Sequence, residues 1–153
     1  MIDMVGWKVL SKEEVKDLIN YLYENFGIDK KISKKYVYFK YRNGIFLLTS
    51  SIDILAKVNP RRVGIKVFKI RGGSLEPTNA IPHIFKSLIK RNVVVLSKGE
   101  LRELINKGFM RKSLNLPDHT YVVIKYSGIP IGIARYRYST LICNLSYLAN
   151  TVF

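Results

Sequence analysis

The chain has 153 residues, 48% of them apolar, and carries 26 Lys and Arg against 11 Asp and Glu, a net charge of +15. That length and apolar content suffice for one buried core or two small ones and exclude a disordered or fibrous polypeptide. An excess this large exceeds what solubility requires and points to a polyanionic partner.

The charge is unevenly placed. Residues 1–29 carry a net −3, residues 30–72 a net +11, residues 73–110 a net +3 and residues 111–153 a net +4. A membrane surface is the competing polyanion, but no 18-residue apolar run, signal-peptide pattern or lipidation box appears, so no membrane partner is expected. Cys143 is the sole cysteine, which rules out an internal disulfide and fits a reducing compartment; the expected location is cytoplasmic.

In chain order, Ser11 and Glu14 form a capping box, after which Val15, Leu18, Ile19, Leu22 and Phe26 recur at helical spacing until Gly27 stops the helix. Tyr36–Arg42, Asn43-Gly44 and Ile45–Thr49 read as a β-hairpin, since Asn-Gly accepts the positive φ of a tight turn. A short helix over Ile52–Lys57, a strand over Gly64–Ile70 and a turn at Arg71-Gly72-Gly73 follow. Thr78 caps a helix expected to run through Leu88, with Pro82 in its first turns.

The second half restarts with a buried strand, Asn92–Leu96, and a second capping box, Ser97 with Glu100, heading a helix to Lys107. Beyond Gly108, strands are expected at Phe109–Ser113, Tyr121–Tyr126 and Ile131–Tyr138. The fold class is therefore α+β, with an N-terminal domain over residues 1–91 and a barrel-like domain of short mixed strands over 92–153.

The order of several segments carries a resemblance. Leu10-Ser11-Lys12-Glu13-Glu14, then Lys107-Gly108-Phe109-Met110-Arg111-Lys112-Ser113-Leu114, then Leu116-Pro117-Asp118-His119 with Tyr121-Val122-Val123, and finally Pro130-x-Gly132 before Ser139-Thr140 span nearly the whole chain. In that order the chain resembles the Nip-seven family of ribosome biogenesis factors, in a short, archaeal-type form. The resemblance implies a C-terminal PUA domain, RNA binding without catalysis, a part in large-subunit rRNA processing, and ribosome assembly proteins as further partners. It also implies RNA contact by the turn at Lys107–Lys112 and by late strands at Arg135–Tyr138. The run Ser74–Ala80, the Val93 strand and the Pro-x-Gly turn are also similar to PUA-like domains appended to RNA cytosine methyltransferases, a reading that again gives a binder.

The residues themselves leave alternatives open. With a period of two, Arg135 and Arg137 share one face of a strand about 7 Å apart, suited either to RNA phosphates or to keeping an edge strand soluble. Tyr136 and Tyr138, on the other face, are expected in the core, with base stacking as the alternative. Lys107, Gly108, Arg111, Lys112 and Lys125 complete the candidate RNA site. Lys30, Lys31, Lys34, Lys35, Arg61 and Arg62 form a candidate second basic surface or a solvated face. No cofactor or metal is implied: His83 and His119 lie far apart in sequence without a triad or ligand spacing. A His-dependent RNA-processing enzyme is the rival from another class.

Overall fold

The computed structural model describes residues 7–48 and 64–145, and the chain is α+β throughout. It divides into two compact units, Met1–Ala80 and Ile81–Phe153. The division falls earlier than the polar Lys90–Asn92 segment where the sequence suggested it. The physical reason is that the helical segment preceding Lys90 ends in a turn that packs beside a strand of the second sheet, so it goes with that unit.

In the first unit, α1 (Lys12–Phe26) begins at the expected capping box, with Ser11 Oγ accepting from Glu14 N and Glu14 accepting from Ser11 N. It ends where Gly27 adopts φ 65°, a left-handed cap that glycine enters without steric cost. Its apolar stripe of Leu18, Ile19, Leu22 and Phe26 is buried. A single turn, α2 (Lys30–Ser33), follows; Asp29 caps it by accepting from Lys31 N.

Five strands form an antiparallel sheet in sequential order: β1 (Trp7–Val9), β2 (Val37–Tyr41), β3 (Gly44–Leu48), β4 (Ile65–Arg71) and β5 (Ser74–Pro77). The β2–β3 hairpin turns at Arg42-Asn43, with Arg42 at φ 50°, and not at Asn43-Gly44 as the dipeptide suggested. Gly44 already pairs with Tyr41 in the ladder. Phe39 and Phe68 are fully buried, and Tyr21 of α1 meets Phe68 edge-on at 5.3 Å, so the helix is seated on the sheet by aromatic contact. The expected helix at Ile52–Lys57 lies outside the described residues.

In the second unit, α3 (Ala80–Phe85) is shorter than expected. Thr78 Oγ1 accepts from Ala80 N, but Lys86 takes φ 44° and the chain tightens into a 3-10 turn over Lys86–Leu88. The sheet runs β6 (Val93–Val95), β8 (Thr120–Tyr126), β9 (Ile129–Arg137), β10 (Thr140–Ile142), β7 (Phe109–Arg111). Only β6–β8 is parallel. Between β6 and β7 runs α4 (Lys98–Lys107), again begun by a capping box, Ser97 with Glu100. Leu101, Leu104 and Ile105 of α4 join Met110, Val122, Ile124, Ala134, Tyr136 and Leu141 in one core. At roughly 1.5–3 kcal/mol for each fully buried large apolar side chain, this cluster is the main stabilising term of the unit. No described helix is long and apolar enough to cross a membrane.

Candidate nucleic-acid interface

The β7, β9 and β10 ladders bring sequence-distant residues into register. Leu141 lies opposite both Met110 and Tyr136, and all three are buried, so this row faces the core. By the period of two, the flanking rows face outward. One outward row is Arg111, Thr140, Arg137; the other is Phe109, Ile142, Arg135, Tyr121.

Three guanidinium groups therefore share one face. Arg111, Arg135 and Arg137 are all exposed; Arg135 and Arg137 sit about 7 Å apart along β9, and Arg111 about 10 Å from Arg137 across β10. Phe109 (50% exposed) and Ile142 (47% exposed) stand among them. Exposed apolar side chains interleaved with arginines give a surface on which bases can stack while phosphates are paired. The sequence reading missed Phe109 and Ile142, because their place beside the arginines depends on pairing with β10, a strand it does not contain; it missed Tyr121 because the β8–β9 register that sets it opposite Arg135 is not readable from either strand alone.

The tyrosines separate. Tyr136 is core as expected, and its hydroxyl accepts from Leu114 N and donates to Leu114 O, both at 2.9 Å. Tyr138 is not core: it is 67% exposed. The strand ends at Arg137, and Tyr138-Ser139 form a two-residue turn with φ 49° and 54°. Such a turn matches the twist of a hairpin but is normally given to Asn or Gly. The turn is held by Tyr138 N donating to Asp118 Oδ1 at 3.0 Å and Lys112 N donating to Ser139 O at 3.0 Å. Arg137 lies over the Tyr138 ring at 4.9 Å.

The remaining candidates divide by what already holds them. Lys112 pairs with Glu100 at 2.7 Å, which holds the Glu100 carboxyl below the ordinary carboxylate range, helped by the backbone of Ser97. Lys107, at the end of α4, pairs with Glu103 at 3.4 Å. Gly108 caps α4 at φ 78°, and its carbonyl accepts from Cys143 N at 3.0 Å, so the turn itself requires glycine's freedom. Lys125 stands apart. It lies four residues along β8 from Tyr121, roughly 13 Å, in a cleft of about 400 Å³ with His83, Lys86 and Pro130. Lys30, Lys31, Lys34 and Lys35 are exposed on and after α2, while Arg61 and Arg62 lie outside the described residues.

No protein-family model matches the chain, and no curated protein matches it. Among solved structures it is similar to the crystal structure of a hypothetical protein from the hyperthermophilic archaeon Pyrococcus horikoshii OT3. The TM-score is 0.52 at 14% identity, over 95% of this chain and 87% of that one. At that identity the likeness carries the fold alone.

Proposed function

We propose that the second unit is a non-catalytic RNA-binding module, and that the chain acts as an assembly factor on large-subunit rRNA. The observation that carries the RNA reading is the in-register placement of Arg111, Arg135 and Arg137 on one exposed face with Phe109 and Ile142 between them. Asp118 is the sole acid in residues 111–153, and its carboxylate accepts from the Tyr138 backbone. Phosphate pairing by the arginines would supply affinity through counterion release, and the aromatic groups would position bases without strict sequence readout. The ribosomal assignment rests on the order of the Nip-seven-like segments, as does the PUA character of this unit.

The test is binding of a labelled single-stranded oligouridine across a salt series. If the three arginines each meet a phosphate, the log–log slope is near −2, from roughly −0.7 per phosphate. The triple variant Arg111→Gln, Arg135→Gln, Arg137→Gln should flatten that slope. Absence of binding at low salt, or an unchanged slope in the variant, defeats the proposal. Incubation with pre-rRNA fragments under single-turnover conditions decides catalysis: cleavage that His119→Ala abolishes would make the chain an enzyme.

A further inference from the structure

On the first unit, α1 and α2 face one another across a cavity of about 360 Å³ whose walls carry Lys12, Lys16, Lys30 and Lys34. Val15 and Ile19 form its apolar floor, and Asn20 adds an amide. Each helical segment contributes two lysines at i,i+4, a spacing at which like charges repel and opposite charges would have stabilised the helix. At 100° per residue, Glu13, Asp17 and Glu24 fall together on a neighbouring face, and none of them lines the cavity. Four lysines are thus gathered around one concavity whose lining holds no carboxylate, an arrangement that an anion would stabilise.

We infer that this groove is a binding site for a phosphate-bearing ligand. Lys30 is already oriented, its Nζ lying 5.1 Å from the centre of the Tyr23 ring. Ammonium groups on four flexible stems suit a compact, multiply charged anion better than a planar carboxylate, which arginine forks match more closely. The shared chemistry is the phosphate group, borne by an RNA strand or by a small phosphorylated molecule. The inference is independent of the arginine face on the second unit.

The test uses the full chain and two probes, inorganic pyrophosphate and a short oligouridine, followed by amide chemical shifts. Pyrophosphate should shift residues of the first turns of α1 and of Lys30–Lys34 selectively. The double variant Lys16→Gln, Lys34→Gln should weaken that response about tenfold, and Lys12→Gln, Lys30→Gln should do the same. The exposed pair Lys31→Gln, Lys35→Gln should leave it unchanged. Shifts spread evenly over the exposed lysines, or no loss in both groove variants, would overturn the site. Running the oligouridine arm on the Arg111, Arg135, Arg137 variant separates the sources. Saturation of the same α1 and α2 residues there assigns the groove to a strand, and a response to pyrophosphate alone assigns it to a small phosphorylated ligand.

Discussion

Arg135 is held by His119: its Nη2 donates to Nδ1 of the imidazole. A guanidinium has no acceptor, so that ring nitrogen carries a lone pair and the ring proton sits on Nε2. His119 is itself fixed, at φ 70° with its backbone N–H donating to Tyr136 O at 2.7 Å. The segment Asp118-His119 therefore bonds to the chain on both sides of Arg137, to Tyr136 in β9 and to Tyr138 in the turn after it, and it sets the direction of one of the three arginines on the proposed RNA face.

Replacing His119 by Ala should leave the fold intact and release Arg135 into many rotamers. Oligouridine affinity should fall about fivefold, the worth of roughly 1 kcal/mol for one pre-oriented polar contact. An increase in affinity would mean the opposite relationship, with His119 competing against RNA for the guanidinium.

Tyr136 ties the segment after β7 to the sheet through both polar groups of Leu114. Tyr136→Phe keeps the ring in the core but leaves a part-buried N–H and C=O without their partner. The expected loss is about 1–3 kcal/mol, or a fall in melting temperature of roughly 4–8 °C per kcal/mol for a unit of this size. Thermal unfolding followed by circular dichroism measures it; a melting temperature equal to wild type would show that solvent satisfies Leu114 equally well.

Acid should weaken the second unit through Glu100. Its carboxyl is lowered from 4.5, first by Lys112 and then by the backbone of Ser97, so the charged form is favoured in the folded state. The corresponding stabilisation is fully present above the ordinary value and is lost as pH falls through the depressed one. Glu100→Gln keeps a capping-box acceptor but loses the partly exposed ion pair with Lys112, and should lower stability at neutral pH by up to about 1 kcal/mol. The two proteins should converge as pH falls below the ordinary carboxylate value and through the depressed one. Parallel stability curves down to pH 3 would remove Glu100 from the account.

Ser33 offers the reverse case. Among the described residues its hydroxyl is buried without a hydrogen-bond partner, while its carbonyl accepts from Tyr38 Oη at 2.9 Å. Burial of an unsatisfied hydroxyl costs about 1–3 kcal/mol, so Ser33→Ala should raise stability, by roughly 1 kcal/mol once the small void is counted. A destabilised variant in chemical denaturation would imply a partner for the hydroxyl.

How much of this was legible in the sequence follows from range. Both capping boxes, the Gly27 cap and the α1 stripe depend on residues within a turn or so of one another, and they formed where the spacing placed them. Arg135 and Arg137 were placed correctly because a strand has period two. What failed was non-local or competitive. Tyr138 left the core because the chain turns immediately after Arg137, a choice fixed by pairing with Thr140–Ile142. Lys112 was drawn toward Glu100, twelve residues away, and Lys125 fell into a separate cleft, because charge alone does not tell partner from ligand. The pairing of α1 lysines with α2 lysines was equally invisible, since it needs the two segments to meet around Gly27.

Cys143 provides a reporter that requires no label on the RNA. Burial pushes its thiol up to about 12, and Sγ donates to Ile133 O at 2.9 Å, in the strand that carries Arg135 and Arg137. A thiol reagent attacks the thiolate and needs access to it, so at pH 8 the native protein should react far more slowly than the protein in denaturant, where one equivalent is taken up. Reaction then proceeds through opening of this sheet. If oligouridine binds the closed arginine face, a concentration of 100 times Kd should stabilise the closed state by about 2.7 kcal/mol and slow labelling roughly a hundredfold. The Arg111, Arg135, Arg137 variant should label at a rate that oligouridine does not change. Fast labelling of the native protein would place Cys143 at the surface, and RNA-independent rates in the wild type would move the binding site off this sheet.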